Sequence, residues 1–275
     1  TLDSLASELM SVVNEVSLAV QDWSAMSDKL NDIIKGFPDN PSPASAAQKA
    51  QTIKFLTWLN DHNFTIMGYR SYSAKAVKGD YRWLADNDSS LGLMKNSASE
   101  RERVLSNIPG SAREEALSNH PLLLTKTNSR SRVHRPAYLD YIGIKRFDEQ
   151  GNVVGEERFI GLYSASFYNS SATQVPVLQT KIDSICQKSG FEKDSHGYKA
   201  FLNIIETYPR DELLQGSEDE LAQIALGIFQ MQERGISRLF VRKDVFGRFI
   251  SCMVYVPRER YNTQLRKDTQ ALLQK

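Results

Sequence analysis

The chain has 275 residues, of which 41% are hydrophobic and 24% are charged, and 34 basic residues balance 33 acidic ones. This composition is typical of a globular protein of one large or two ordinary domains, and the near-neutral charge predicts neither a nucleic-acid nor a membrane partner. No apolar run reaches the ~18 residues of a membrane span, and the two cysteines, Cys186 and Cys252, lie far apart. We therefore expect a cytoplasmic protein without a signal peptide or a disulfide framework.

Residues 2–34 carry the clearest periodicity. Apolar residues recur there at alternating spacings of three and four, which predicts one long amphipathic helix over residues 1–37. The first 40 residues hold seven acids and two lysines, a net charge of −5. The helix is either a strut that links domains or forms dimers, or a helix packed on its own domain. Its apolar seam consists of Leu2, Leu5, Leu9, Val12, Val16, Ala19, Trp23, Met26, Leu30 and Ile33.

The next segment, residues 44–206, predicts an α/β domain with a central antiparallel sheet. Two long strands flank Gly151, which can supply the positive φ of a hairpin turn, and both strands are apolar on both faces, as central strands are. Residues 86–120 mix polar and charged residues and give weak helical patterns near 99–107 and 111–118. The other predicted elements are a helix over 45–61, strands over 63–74, 81–85, 136–147 and 153–167, and helices over 174–189 and 197–206.

Residues 207–275 predict the start of a ferredoxin-like βαββαβ unit. Residues 208–217 interrupt the pattern, and Ser217 with Glu220 forms a capping box that opens a helix running to about Arg234. Two strands, "SRLFVRKD" and "GRFISCMVYV", follow, joined by a turn through Asp244 and Gly247, and a last helix begins after Pro257. Because the final strand of such a unit is missing, we expect the chain to be a piece of a longer protein.

The spacing of glycines and histidines excludes the common catalytic fingerprints. No two of the 15 glycines are two residues apart, so no Gly-x-Gly-x-x-Gly loop is possible, and none are five apart, as a phosphate-binding loop requires. The four histidines are isolated, without metal-ligand spacing. We therefore expect no catalytic residue, no bound cofactor and no metal in this chain, although a site assembled from distant residues would escape such an analysis.

The segment 121–147 concentrates positive charge, with six basic residues against Asp140 alone. Because a guanidinium binds a carboxylate or phosphate through two parallel hydrogen bonds, the segment predicts an anion-binding corner or a charged interface. The alternative is a solvated loop that pairs with acidic helices. The candidate effector-binding residues are Arg130, Arg132, His134 and Arg135, with His134 as a pH-sensitive member.

A second basic stretch, residues 238–267, holds eight basic residues against two acidic ones. Its strand arginines alternate with apolar residues, which predicts an outward sheet face and a subunit or domain interface. The candidate interface residues are Arg238, Arg242 and Arg248. Cys252 shares its strand face with Ile250 and is expected in the core.

Long strings of this sequence resemble the N-terminal half of the large bacterial NAD-specific glutamate dehydrogenases. They are "NFTIMGYRSY", "SRSRVHRPAYLDYIGIKRFDEQGNVVGEERFIGLYSASFY", "NIIETYPRDELLQ" and "RLFVRKDVFGRFISCMVYVPRERYNTQLR", which fall within residues 52–267. The opening helix, with "VQDWSAM", is similar to the linker that follows the family's first ACT-type domain.

The resemblance implies a fragment of a much longer oxidoreductase of amino-acid catabolism. Its partners would be the rest of the polypeptide, with an NAD-binding dehydrogenase domain, and further copies in a homo-oligomer. The domains implied are a linker helix over 1–37, a PAS-like α/β domain over 44–206 and a truncated ACT-like domain over 207–275, which makes the fold class α+β. The family's catalytic residues have no matching positions here, so none are carried over.

Two functions follow as hypotheses. In the first, the chain is a non-catalytic regulatory segment in which the carboxylate of an amino-acid effector binds near Arg130, Arg132 and Arg135 and shifts a domain equilibrium. In the second, it is a ligand-free oligomerisation scaffold that uses the heptad helix and the basic sheet. An autonomous enzyme is a third reading, which would require turnover by this chain alone.

Overall fold

The computed structural model describes residues 2–77, 80–96, 102–104, 107–231 and 235–274. Over these residues helices and strands are mixed, which confirms the α+β class. The chain divides into two compact units: unit 1 is Thr1–Thr180 with Arg210–Gln215, and unit 2 is Lys181–Pro209 with Gly216–Lys275. The three domains drawn from the sequence stay a prediction.

Two helices, α1 (Leu2–Gln21) and α2 (Trp23–Gly36), occupy the segment predicted as one long helix. Asp22 lies between them, and its carboxylate accepts hydrogen bonds from the backbone N–H of Gly92 at 2.7 Å and from Lys95 Nζ at 2.9 Å. Because Gly92 and Lys95 belong to another segment, the hydrogen bonds at the break between α1 and α2 attach the helix pair to the rest of unit 1.

The apolar seam of these helices is mostly buried in its second half, where Trp23 is the exposed exception, and mostly exposed in its first. Ala19, Met26 and Leu30 are core residues, whereas Leu2 and Leu9 are 85% and 58% exposed. The helix pair is therefore packed on its own domain through one part of the seam, and the other part remains uncovered in this chain.

Unit 1 is built around one antiparallel sheet. Its strands are β1 (Phe64–Val77), β2 (Asp80–Ala85), β3 (Leu91–Gly92), β4 (Glu102–Val104), β5 (Leu122–Arg130), β6 (Tyr138–Phe147) and β7 (Val153–Tyr163). Across the described residues the order is β4-β2-β1-β7-β6-β5, with β3 paired to β1. The predicted central position of β6 and β7 is thus confirmed. Their hairpin turns through Gly151, which has φ +82° as expected.

The predictions fail at short or mixed segments. Strands β3, β4 and β5 are not predicted from the sequence, and the helix expected over 99–107 is wrong at Glu102–Val104, which forms β4. Residues 99–101 and 105–106 lie outside the described part of the chain. The strand expected over 153–167 ends at Tyr163, and its last residues begin the short helix α5 (Ala165–Asn169).

Both faces of the sheet are covered, because successive residues of β7 point to opposite sides and are both buried. Leu162 belongs to a core cluster that also contains Ala19 of α1, Met67 and Leu139. Tyr163, on the other side, stacks on Phe167 with ring centroids 4.4 Å apart. The other helices of unit 1 are α3 (Ala46–Trp58), α4 (Gly110–Leu117) and α8 (Arg210–Gln215); the division between the units falls within α6 (Pro176–Lys188).

Unit 2 contains α7 (His196–Thr207), α9 (Glu218–Met231), the hairpin β8 (Arg238–Lys243) and β9 (Ile250–Tyr255), and α10 (Thr263–Leu273). The predicted capping box is confirmed, since Ser217 Oγ accepts from the Glu220 N–H at 3.3 Å and Glu220 Oε2 accepts from the Ser217 N–H at 3.1 Å. The described part of α9 ends at Met231, and residues 232–234 lie outside the described chain. Nowhere in the described chain is a helix long and apolar enough to span a bilayer.

The close approach of β3 to β1 yields a prediction. Gly92 has φ +58°, and a Cβ there would collide with the carbonyl oxygen of Met67 and lie 3.1 Å from Met26 Sδ. We expect Gly92→Ala to lower the free energy of unfolding by about 3–5 kcal/mol, through φ strain plus the collision. Gly151→Ala is the control: its φ is also positive but its nearest neighbour is at 3.6 Å, so about 1 kcal/mol is expected. Equal losses in urea titrations would contradict the steric account.

Candidate functional site

The arginine-rich loop between β5 and β6 is closed on itself by backbone hydrogen bonds. The N–H of Ser131 donates to the carbonyl of Ala137 at 2.7 Å, and the N–H of Arg135 donates to the carbonyl of Val133 at 2.8 Å. His134, at the tip, has φ +68° and is exposed. The loop therefore presents its side chains from a defined backbone at the edge strand of the sheet.

Arg132 connects this loop to α1. Its guanidinium forms an ion pair with Glu15 and donates to Ser11 Oγ at 2.8 Å. The hydrogen bond and the charge of Glu15 raise the pKa of Arg132 above its ordinary value. The side chain of Arg132 is 48% exposed, so water and a dissolved anion can reach the pair. This contact agrees with the alternative interpretation of the sequence, in which the loop pairs with an acidic helix.

The other two arginines of the loop have different partners. Arg135 donates to the carbonyl of Tyr163 at 2.9 Å and lies 5.1 Å from the ring centroid of Tyr168. Arg130 donates to the carbonyl of Pro136 at 3.2 Å. Each guanidinium thus contacts a different part of unit 1, and Arg132 is the member paired with a carboxylate. The predicted effector site at these residues stays a prediction.

A buried charge cluster lies beside the loop, on β5, β6 and α8. Lys126 Nζ is 2.6 Å from Asp140 Oδ1 and 3.2 Å from Asp211 Oδ2. Asp140 is 2% exposed and accepts a further hydrogen bond from the N–H of Tyr163 at 3.3 Å. Tyr168 donates its hydroxyl hydrogen to Asp211 at 3.2 Å. These contacts hold the short helix α8 against the edge of the sheet.

Burial dominates the electrostatics of this cluster. Desolvation raises the pKa of Asp140 to about 6, against the lowering effect of Lys126, and the charge of Asp211 adds to the increase. The pKa of Lys126 is raised, because its two carboxylate partners outweigh its own desolvation. This cluster is not predicted from the sequence, because Asp140 is the lone acid of a basic segment there and Asp211 lies in a segment that interrupts the helical pattern.

Two further buried cations lie on the sheet. Arg158 lies between two tyrosine rings, 3.7 Å from the centroid of Tyr72 and 4.8 Å from that of Tyr141, and donates to Glu156 at 3.0 Å. Lys145 is fully buried and donates to the carbonyl of residue 115 at 2.5 Å and to the hydroxyl and carbonyl of residue 118 at 2.9 and 3.1 Å. Desolvation lowers the pKa of Lys145 to about 8. Both cations are satisfied by partners inside unit 1.

The candidate interface arginines of unit 2 differ in exposure. Arg238 is exposed and lies 4.8 Å from the ring of Phe240, whereas Arg242 is 5% exposed. Arg248 forms an ion pair with Asp244 at 3.0 Å. Arg238 and Arg242 share a strand face with Phe240, which lies against α9, so the arginine face of the hairpin is turned inward. Their role at an interface stays a prediction.

The opposite face of this hairpin is the exposed one, and it is apolar. Cys252, expected in the core, is partly exposed there. A separate cleft of about 280 Å³ opens in unit 2 at the end of β9, with Tyr255, Arg258 and Glu259 among its lining residues. Within the described ranges, no three side chains of His, Cys, Asp or Glu are grouped as a metal site would require.

Comparison with known proteins shows what this chain is similar to. It is 37% identical over 274 residues to the NAD-specific glutamate dehydrogenase of Halomonas elongata, and 35% identical to that of Pseudomonas aeruginosa, covering 99% of this chain in both cases. The Mycobacterium tuberculosis protein of the same name is 26% identical over 267 residues. The chain is homologous to a segment of NAD-specific glutamate dehydrogenases. The resemblance of the sequence to this family is thus confirmed.

The chain spans 17% of the length of the first two of these glutamate dehydrogenases and 15% of the third. Two family models match it. The model for glutamate dehydrogenase helical motif 1 matches residues 175–234, which include α7, α8 and α9, and the model for the glutamate dehydrogenase ACT2 domain matches residues 238–275, which include β8, β9 and α10. The ACT assignment of the C-terminal strands is therefore supported.

The buried cluster predicts a pH dependence of stability. Because the pKa of Asp140 is higher in the folded state, the folded protein holds this proton longer than the unfolded chain, and stability falls as pH rises from about 4 to 6. The gap between 3.8 and about 6 corresponds to at most about 3 kcal/mol. We expect Asp140→Asn to gain stability relative to the unsubstituted protein over this interval, as measured by urea titrations at several pH values.

Asp148 is the matched control, because its pKa is shifted in the opposite direction to that of Asp140. Hydrogen bonds from Asn152 and Gln150 lower its pKa, so it stabilises the folded state above pH 4 and loses that effect as pH falls through its folded pKa. Asp148→Asn should therefore become less stable relative to the unsubstituted protein as pH rises. Parallel curves for the two variants would contradict the assigned pKa directions.

Proposed function

We propose that this chain is a regulatory and assembly segment of an NAD-dependent glutamate dehydrogenase. The observation that carries the proposal is similarity along almost the entire chain to proteins of that name, with matches to their helical motif 1 and ACT2 domain. The full-length protein would convert L-glutamate, NAD⁺ and water to 2-oxoglutarate, ammonium, NADH and a proton. In this proposal the catalytic residues and the NAD site belong to the rest of the polypeptide.

The dehydrogenase proposal has a direct test. We expect the full-length protein to reduce NAD with L-glutamate, as followed by the absorbance of NADH, and the 275-residue chain alone to give no turnover under the same conditions. Inactivity of the full-length protein toward glutamate would contradict the proposed reaction. Turnover by the chain alone would instead assign catalytic residues to this segment.

The regulatory part of the proposal centres on Arg132. Its partner Glu15 is a carboxylate of α1, and the pair is open to solvent. An amino-acid effector carries the same group, so it would bind Arg132 by displacing Glu15 and would thereby release the loop from α1. The two states, tethered and released, differ in effector affinity, and such a difference of ~1–3 kcal/mol suffices for allosteric control.

This mechanism makes opposite predictions for the two members of the ion pair. Arg132→Ala removes the effector's partner, and we expect its apparent effector affinity in the full-length enzyme to fall at least tenfold, or about 1.4 kcal/mol. Glu15→Gln removes the competing carboxylate, so the apparent affinity should rise. Initial rates of NADH formation over a titration of amino acids measure both. An effector response that survives Arg132→Ala unchanged would dismiss this site.

The assembly part of the proposal is favoured by the uncovered half of the seam on α1. A deletion of residues 1–37 would be a poor test, because it also removes the core residues Met26, Leu30 and Phe37. Substitutions confined to exposed apolar positions keep the core intact. They also allow the interaction surface to be located.

A further inference from the structure

The short helix α8 belongs to unit 1, although the chain on either side of it, Lys181–Pro209 and Gly216–Lys275, belongs to unit 2. Its apolar anchors are Leu213 and Leu214, which are buried, and Arg210 donates to the carbonyl of residue 170 at 3.0 Å. Its six residues make fewer than two helical turns, and so short a helix has little stability of its own. The contacts of its side chains therefore decide whether α8 stays docked on the sheet.

Asp211 of α8 shares the ammonium group of Lys126 with Asp140 of β6. The Lys126 Nζ atom lies 2.6 Å from Asp140 Oδ1 and 3.2 Å from Asp211 Oδ2. The side chains of Asp140 and Lys126 are 2% and 19% exposed, so water screens these charges only weakly. Two carboxylates thus compete for one cation and repel each other, and the pair that attaches α8 is the longer one.

The hydrogen bonds of Asp140 show what a proton would change. Oδ1 accepts from Lys126, and Oδ2 accepts from the backbone N–H of Tyr163 at 3.3 Å. A proton on Oδ1 makes this oxygen a donor, so Lys126 loses its nearer partner. Asp211 is then the carboxylate that remains for Lys126, and it is no longer repelled by a charge on Asp140.

The other titratable groups that face Asp140 keep their protons at neutral pH. Burial raises the pKa of Tyr163 on β7 and of Tyr168 on α5. The pKa of Lys126 is also raised, because its desolvation is outweighed by its two carboxylate partners together. Arg135 of the loop lies 5.1 Å from the ring centroid of Tyr168 and stays charged, as arginine does. Desolvation raises the pKa of Asp140 to about 6, so this group changes its charge near neutral pH.

We propose that Lys126, Asp140 and Asp211 form a proton-controlled clamp, which holds α8 on the sheet more firmly when Asp140 carries a proton than when it is ionised. In the protonated form Lys126 pairs with Asp211, and in the ionised form it is shared while Asp140 repels Asp211. The coupling is reciprocal, so release of α8 lowers the pKa of Asp140. The proposal goes beyond the proposed function, because it does not depend on glutamate oxidation.

The clamp gives the release of α8 a pH dependence of defined sign. The docked state binds the proton of Asp140 more tightly than the released state, so protons favour docking. Release therefore becomes more frequent as pH rises through about 6. We expect the equilibrium constant for release to increase about fivefold between about pH 5 and about pH 7.5, the lower end of an ordinary coupling between two sites.

Hydrogen exchange followed by mass spectrometry measures this release at α8 itself. The exchange rate of a peptide that covers residues 208–216 is divided by the intrinsic rate of an unfolded chain at the same pH, which yields the opening constant. In the unsubstituted chain this constant should rise with pH as stated. It should also exceed the opening constants of β6 and β7 throughout, which marks the release of α8 as local and separates it from global unfolding.

Three substitutions assign the effect to the clamp. Asp140→Asn keeps the shape of the side chain but cannot ionise, so it should lower the opening constant of α8 about fivefold at pH 7.5 and abolish its pH dependence. Asp211→Asn removes the carboxylate of α8, so it should raise the opening constant at pH 5, where the clamp is tightest. Asp148→Asn is the control, because it removes a carboxylate of the β6–β7 turn outside the cluster, and it should leave α8 unchanged.

The remaining outcomes overturn the proposal. A pH dependence that persists in Asp140→Asn would assign the proton to another group. An opening constant of α8 that is the same at both pH values, or equal to those of β6 and β7, would show that no clamp controls a local release. The pH profile of the unsubstituted chain requires no substitution, so it decides the question even if Asp140→Asn fails to fold.

Discussion

The central strands β6 and β7 are covered on both faces over most of their length, and the charged side chains buried on them therefore need partners inside the protein. Asp140 is compensated by Lys126, and Arg158 by Glu156 and two tyrosine rings. Lys145 binds backbone carbonyls at the end of α4. Uncompensated, each of these groups would cost several kcal/mol. The partners they require place α4 and α8 against the sheet, so the position of these helices depends on buried charge.

The same requirement gives Lys126 and Lys145 of the basic segment 121–147 their internal partners. Arg132 of this segment is exposed and is paired with Glu15 of α1. An external carboxylate can act there by competition with Glu15, which is why a ligand at this position would change the attachment of a helix. In the proposed function, regulation and assembly would thus both involve α1, whose one side contacts Arg132 and whose other side carries exposed apolar residues.

This chain is similar to a segment of the NAD-specific glutamate dehydrogenases and spans 17% of the length of the first two. A segment of such a protein need not cover all its apolar surface, because other domains or other copies can do so. The exposed apolar residues of α1 and of the β8–β9 hairpin are surfaces of this kind.

Periodicity and turn chemistry are local, so the sequence alone predicts the helical segments, although not the break at Asp22, and also the central hairpin with Gly151 at its turn and the capping box at Ser217. The family resemblance was likewise visible in the sequence. It missed β5, whose polar end resembles a loop, and with it the pairing of Lys126 with Asp140. Tertiary structure alone decided which half of the helical seam is buried, which face of the β8–β9 hairpin is exposed and which carboxylate binds Arg132. The physical reason is that each depends on segments distant in sequence meeting in space, and no local pattern encodes which two will meet.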